Sequence, residues 1–399
     1  MEIKYFNSNF KKIIKNKNID HSITNVIKKH PSLNIISNKN LLEETINISN
    51  QFKEKKEKII VFGTGGSNLG ARALNNIILT NKINLEFYDN VDPINFEKNF
   101  NNINFESTGF LVISKSGTTP ETLSQFSCLY QKAIEANKIK DFFSNTLIIT
   151  EFKESPLFKI AKDNNCLLLE HHKDVGGRYS IFTNVGIVPA IISGLNINEL
   201  FSGASEVINN IDNYRPYDLG IYLTQIENVK FTNSVLMTYS DSLYFFGKWY
   251  LQLWAESIGK NNKGITAIHS VGTTDQHSQL QLYLDGPKDK YFTFITTDHA
   301  NKGIKINNDM FEGTNIDYLK DKTMGDLMEA EQRATIETFK LNGFSFREIY
   351  ISKINEKNLG KLLSFSIMET IASCMYLDVD PFDQPAVEQG KKLTKTYLR

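Results

Sequence analysis

Two hydrophobic rhythms alternate along this chain. Short, nearly continuous apolar runs recur at IIVFG (59–63), LEFYD (85–89), GFLVIS (109–114), TLIIT (146–150) and CLLLE (166–170), with helix-length segments of mixed polarity between them. A strand that is apolar at consecutive positions is buried on both faces, and helices between such strands make the sheet parallel. The alternation returns at SVLMTYS (234–240), ITAIHS (265–270), YFTFITT (291–297) and REIYIS (347–352). Helical patterning falls near residues 243–258, 276–284, 324–341, 357–376 and 383–397. The prediction is an α/β protein of two doubly wound parallel sheets, each flanked by helices in three α/β/α layers. Residues 51–200 make the first unit and 201–399 the second, with 185–218 as the bridge. Residues 1–50, rich in Lys and Asn, predict surface helices packed on the larger domain.

Bulk properties narrow the function. Lys+Arg 45 balances Asp+Glu 45, and this lacks the basic excess of a dedicated nucleic-acid binder. Cys128, Cys166 and Cys374 lie far apart and form no CxxC, which fits packing residues in a reducing compartment. The N-terminal MEIKYFNSNF has no signal-peptide apolar core. The longest apolar stretch, residues 185–195, carries Pro189 and is too short to span a bilayer. The expectation is a cytoplasmic protein.

In open α/β sheets, ligands bind beyond the carboxyl ends of the strands. The loop VFGTGGSNLG (61–70) follows the first strand. It lacks the spacing of a dinucleotide fingerprint, and no Gly-Lys-Ser/Thr closes it as a P-loop. Gly66 and Ser67 suit either a tight turn or close approach to an anion or sugar hydroxyls. The loop ISKSGTTPET (113–122) ends a strand and opens a helix at Pro120. Thr118-x-x-Glu121 fits a capping box, with Thr119 as the alternative cap. One cap needs one hydroxyl, whereas Ser114, Ser116, Thr118, Thr119 and Thr122 supply five beside Lys115. A helix N-terminus lined with neutral donors holds a phosphate without a metal. In DVGGRYSIFTNVG (174–186), a Gly-Gly turn presents Arg178, either as a surface ion pair or as a clamp for a developing anion.

Acid–base candidates are fewer. On the helix 245–260, Lys248, Gln252, Glu256 and Lys260 fall four apart, either as a solvated Glu–Lys stripe or with Glu256 as a general base. His277 lies at a predicted helix start, as a surface or capping residue or as an acid–base group. The pair His171-His172 diverges on a strand and predicts no metal site. Lys391 belongs to the C-terminal string DPFDQPAVEQGKKLTK (380–395), which reads by itself as a basic helix end.

Taken in order, GTGGSNLG, SKSGTTPET, VGGRYS, QLWAESIGK, GTTDQHS and FDQPAVEQGK resemble the glucose-6-phosphate isomerase family across residues 60–391. The resemblance implies two sugar-isomerase (SIS) domains and reversible isomerisation of D-glucose 6-phosphate and D-fructose 6-phosphate through a cis-enediolate. It implies that Ser114, Ser116, Thr119 and Thr122 bind the phosphate with Lys115 beside them, and that Gly66 and Ser67 touch the sugar. Glu256 would be the base, Gln252 and Gln384 would position substrate, and Arg178 would stabilise the enediolate. Lys391 and His277 would assist ring opening, with His277 lent across a homodimer. No cofactor and no metal is implied. Thr64, Ile258, Asp275 and Ala386 depart from the family's usual residues. Two alternatives share the fold: an isomerase that also takes mannose 6-phosphate, and a non-catalytic sugar-phosphate-binding regulator, which would need no Glu256, His277 or Lys391.

Overall fold

The computed structural model describes residues 1–7, 17–78, 83–225, 231–307, 309–311 and 313–399. Ten strands occur in chain order: β1 (Glu2–Phe6), β2 (Lys58–Phe62), β3 (Asn84–Tyr88), β4 (Thr108–Ile113), β5 (Thr146–Thr150), β6 (Leu167–Glu170), β7 (Asn233–Thr238), β8 (Thr266–Val271), β9 (Lys290–Thr296) and β10 (Phe346–Tyr350). They form two five-stranded sheets, ordered β3-β2-β4-β5-β6 and β1-β10-β9-β7-β8. Every pairing is parallel except β1 with β10. The nine strands expected from apolar runs are therefore present.

Side-chain alternation explains why those runs are continuous. In the first sheet Ile60, Phe62, Phe110, Val112 and Ile148 point into one core, and Ile59, Val61, Leu111, Ile113, Leu147 and Ile149 into another. Neighbouring residues of a strand face opposite sides, and here both sides are dry. The second sheet behaves alike, with Val235, Met237, Phe292 and Phe294 on one face and Leu236, Tyr291 and Ile295 on the other.

That last core does not stop at the second sheet. It runs continuously through Tyr179, Ile181 and Ile187, which follow β6, to Trp249 and Trp254 on the helix after β7. The two sheets thus share one helical layer. Residues 185–218, expected as a bridge, are helices within it: Asn184–Ser193 and Ile197–Asn209. The second lies on the buried helix Glu356–Tyr376 so closely that a Cβ on Gly360 would stand 2.0 Å from the Leu200 carbonyl oxygen.

Two differences concern the termini. Residues 2–6 form an antiparallel edge strand, not a helix. A short, partly exposed strand gains its hydrogen bonds from one neighbour only and carries mixed polarity, which hides it from an apolar-run search. The remaining described N-terminal helices divide between the halves, Lys39–Lys53 packing on Asn184–Ser193 and Lys17–Lys29 on Glu356–Tyr376. At the other end, Glu388–Tyr397 forms the expected C-terminal helix, but it is exposed throughout. Among the described residues no helix is long and apolar enough to cross a membrane.

Candidate active site

The first sheet sets the place. β2 has β3 on one side and β4 on the other, so the connections leave in opposite directions and open a crevice at their carboxyl ends. The loops after β2 and β4 are the Gly-Gly-Ser and hydroxyl-rich loops.

In the second loop Thr119 is the N-cap of the helix Pro120–Glu135, yet its side chain makes no capping bond. Its Oγ1 instead meets Ser114 Oγ at 2.8 Å. Thr118 is outside the helix and donates to Ser116 Oγ at 2.9 Å, so the expected Thr118/Glu121 capping box is absent. Thr122 Oγ1 is fully buried with no protein partner. The hydroxyls are therefore not consumed as helix caps, and the amides of the first turn stay available to an anion.

Lys115 is tied to neighbouring backbone and to a carboxylate. Its Nζ donates to the carbonyls of Lys173 (2.7 Å) and Val175 (3.0 Å) and lies 3.6 Å from Glu151. Burial pushes the Glu151 pKa up, but Lys153 and Lys115 outweigh it and leave it below the ordinary carboxylate value. Lys115 thus straps the hydroxyl-rich loop to the turn that carries Arg178.

That turn docks on the Gly-Gly-Ser loop. A Cβ on Gly66 would lie 2.1 Å from the carbonyl carbon of Gly177, so the two backbones touch where no side chain fits. Ser180 Oγ ties both, donating to Gly177 O at 2.7 Å and within 3.3 Å of Gly66 O. Gly65 faces the Gln252 amide, whose nitrogen would be 2.9 Å from a Cβ there.

Gln252 and Glu256 stand one turn apart on the helix Tyr244–Ile258. Gln252 Nε2 donates to Glu256 Oε1 at 3.0 Å, while Arg178 Nη1 lies 3.5 Å from Glu256 Oε2. The Arg178 guanidinium is buried and held on all sides. Nε donates to Ser257 Oγ (2.8 Å), Nη1 to Gln384 Oε1 (2.6 Å), and Nη2 to the carbonyls of Pro381 (2.7 Å) and Asp383 (3.1 Å). This is an immobilised cation beside a half-buried carboxylate. A cavity of about 650 Å³ opens alongside, with Glu256, Lys260, Asp383, Gln384 and Ala386 on its walls.

Among the residues singled out in the sequence, the structure brings Gly66, Gln252, Glu256, Arg178 and Gln384 into one contact line. The loop of Ser67 and that of Ser114, Ser116, Thr119 and Thr122 join it through Gly66 and Lys115. His277 and Lys391 stand apart. His277 is exposed after β8, on a turn pinned by Asp275, which accepts from Val271 N (2.7 Å) and Ser278 Oγ (2.8 Å). Lys391 is exposed and pairs with Glu388 at 2.7 Å. Ile258 is buried in the core and turns away from the carboxylate chemistry.

Lys260 is a site residue that the sequence hid. It reads as the solvated end of a charged stripe, yet its side chain is 9% exposed. It donates to the carbonyls of Ser257 (2.7 Å) and Asp380 and pairs with Asp383 at 3.1 Å. Only its place one turn after Glu256 hinted at this.

The sequence profile described as phosphoglucose isomerase matches residues 41–399. A glucose-6-phosphate isomerase of Methanocaldococcus jannaschii is 34% identical over 342 residues, covering 84% of this chain and 83% of that protein. One from Campylobacter jejuni is 32% identical over 369 residues, covering 90% of this chain and 89% of that protein. The crystal structure of a hypothetical protein from Thermus thermophilus superposes with a TM-score of 0.90 at 25% identity, over 100% of both chains.

Proposed function

We propose that this chain, which belongs to the phosphoglucose isomerase family, works through the contact line from Gln252 to Arg178. It is an aldose–ketose isomerase that interconverts D-glucose 6-phosphate and D-fructose 6-phosphate, a step of glycolysis and gluconeogenesis.

In this reading the sugar's phosphate sits at the start of the helix Pro120–Glu135, against Ser114, Ser116, Thr119 and Thr122. Binding energy spent at that remote end orients the reacting carbons. Glu256 takes the proton from C2 of the open-chain aldose. The electron pair forms the C1–C2 double bond of a cis-enediolate, and the carbonyl oxygen becomes the oxyanion. Arg178, already desolvated and fixed, stabilises that charge without reorganising. The C2 hydroxyl proton passes to the C1 oxyanion, Glu256 returns its proton to C1, and the ketose, with its C2 carbonyl and C1 hydroxyl, results. Gln252 aligns the carboxylate, Gln384 aligns the guanidinium, and Gly66 with Ser67 contacts the sugar.

Ring opening needs further proton transfers at the ring oxygen and the C1 hydroxyl, which we assign to Lys391 and His277. His277 is exposed and does not line the cavity of its own chain, which fits its use by the neighbouring subunit of a homodimer.

The observation that carries this reading is the carboxylate of Glu256 held on one oxygen by Gln252 and faced on the other by a buried, fully engaged arginine. The decisive measurement is turnover of fructose 6-phosphate by wild type and Glu256→Gln in a coupled assay. A general base contributes about 10²–10⁴-fold, so the variant is expected to lose at least about 10²-fold in kcat. An inactive wild type, or a variant of near-normal kcat, refutes the assignment.

A further inference from the structure

The segment that completes the cavity is thinly anchored. Beyond Pro381 every residue to Arg399 is exposed, although this stretch holds Gln384 and Lys391. Two anchors are polar. Lys260 binds the Asp380 carbonyl and the Asp383 carboxylate, and Arg178 binds Pro381 O, Asp383 O and Gln384.

The third anchor is aromatic and comes from the far end of the chain. The Phe382 ring lies on the imidazole of His30, with centroids 4.6 Å apart and planes inclined by 14°. Tyr179, next to Arg178, closes the group at 5.2 Å from His30 and 5.7 Å from Phe382. Its hydroxyl also reaches Pro381 O at 3.0 Å. Phe382 is 40% exposed, so His30 and Tyr179 cover one face and solvent the other. His30 itself is buried and fixed, because its Nδ1 accepts from the Ser32 amide at 3.3 Å at the start of the helix Pro31–Asn34. The same Nδ1 also meets Ser32 Oγ at 2.6 Å. Burial, with Arg178 adding to it, pushes the His30 pKa down to about 4. A neutral ring is what an aromatic stack beside a guanidinium requires.

The Arg178 anchor has a weakness that this one lacks. Arg178 holds the segment with the same guanidinium that must face the enediolate, so charge drawn towards the substrate is charge withdrawn from the loop. An apolar stack does not respond to that charge.

We propose that His30 is a positioning residue for the isomerisation: stacked on Phe382 and beside Tyr179, it registers residues 380–384 so that Gln384 meets Arg178 and the following helix can deliver Lys391. His30 touches neither substrate nor reacting atoms. The inference rests on the roles of Arg178, Gln384 and Lys391 given above.

The test compares wild type, His30→Ala, His30→Phe and Phe382→Ala for kcat and KM with glucose 6-phosphate, alongside thermal melts. Misplacement of supporting groups costs up to roughly 10²-fold in rate. His30→Ala is expected to lose roughly ten-fold or more in kcat while KM stays within about two-fold, because the phosphate grip is untouched. His30→Phe restores the ring and should return kcat to within about two-fold of wild type. A wild-type kcat in His30→Ala, a change confined to KM, a loss that merely tracks the unfolded fraction, or a failure of His30→Phe to restore kcat each overturns the proposal. Should His30→Ala not fold, Phe382→Ala at the exposed side of the stack decides alone: a similar kcat loss supports it, and normal kcat overturns it. An inactive wild type refutes the assigned reaction instead, a separate failure.

Discussion

Thr119 separates binding from folding better than any other residue of the hydroxyl-rich loop. A threonine at an N-cap normally supports its helix, and removing it costs about 1 kcal/mol of stability. Here the Oγ1 bonds to Ser114 and caps nothing. Thr119→Val should therefore leave the melting temperature within about 2 °C of wild type, yet remove one donor from the phosphate. A hydrogen bond to a charged group contributes about 1.5–3 kcal/mol, which is roughly ten-fold or more in affinity. The expected result is a KM at least several-fold higher with kcat nearly unchanged. Steady-state kinetics with a parallel melt checks it. A large kcat loss at constant KM would mean that the loop takes part in chemistry. Gly66 makes the opposite kind of position, where space rather than chemistry decides. Gly66→Ala forces its methyl carbon into the Gly177 carbonyl at 2.1 Å, so the two site loops must separate. Since misplaced groups cost up to roughly 10²-fold, kcat/KM should fall by more than ten-fold even where the purified variant stays folded by circular dichroism.

Between elements, the helices Ile197–Asn209 and Glu356–Tyr376 are the place where packing is least forgiving. Gly360 abuts the Leu200 carbonyl, and Gly203 reciprocally abuts the Lys357 carbonyl at 1.8 Å from a would-be Cβ. Backbone cannot rotate away as a side chain can. Gly360→Val should cost at least the about 1–3 kcal/mol of an overpacked core, read as a lowered urea midpoint in the purified protein. An unchanged midpoint would show that these helices separate easily. This pair was invisible in the sequence, for a reason that applies generally. The strands announced themselves because burial on both faces makes every residue apolar, as in Phe110, Leu111, Val112 and Ile113. A helix-to-helix approach depends on which glycines face each other across about 160 residues, and no local pattern carries that. The same limit shaped the site. The hydroxyl-rich loop was legible because its donors lie within nine consecutive residues. The partners of Arg178, from Ser257 to Gln384, were not, because they are 79 to 206 residues away. The protein partners of Lys115 were hidden for a related reason: the carbonyls it binds lie 58 and 60 residues on.

At the scale of the whole molecule, the response to acid follows from three histidines placed in unrelated packing environments. His30 sits under Phe382, His171 at the end of the first sheet's β6, and His269 on β8 against the helix Tyr244–Ile258. Burial is the main cause in each case, and each pKa is pushed down to about 4 from an ordinary 6.5. Nearby cations add to it: Arg178 for His30, Lys115 for His171 and Lys248 for His269. A folded-state pKa below the unfolded one means that the unfolded chain binds more protons between the two values. Stability is therefore complete above about pH 6.5 and is lost as pH falls through the window down to about 4. At pH 5 each of these imidazoles is almost fully charged when unfolded and almost neutral when folded, which gives about 0.9 proton taken up per histidine on unfolding. Three together give a slope of up to about 4 kcal/mol per pH unit, steep against the about 5–15 kcal/mol that a folded domain has. The carboxylates whose pKa is lowered, such as Glu151 and Glu206, contribute mainly below this window, since their ordinary values lie near 4.5. The expected outcome is a urea midpoint that is flat from pH 8 to 7 and falls sharply from pH 6 to 5. His171 offers the cleanest control, because its Nε2 is buried without a protein partner and little bonding is lost on replacement. In His171→Gln the proton uptake on unfolding at pH 5 should drop by about one, to about two-thirds of the histidine total. Measured by potentiometric titration of folded against urea-unfolded protein, an uptake equal to wild type would show that His171 titrates alike in both states and that its burial is not maintained in solution.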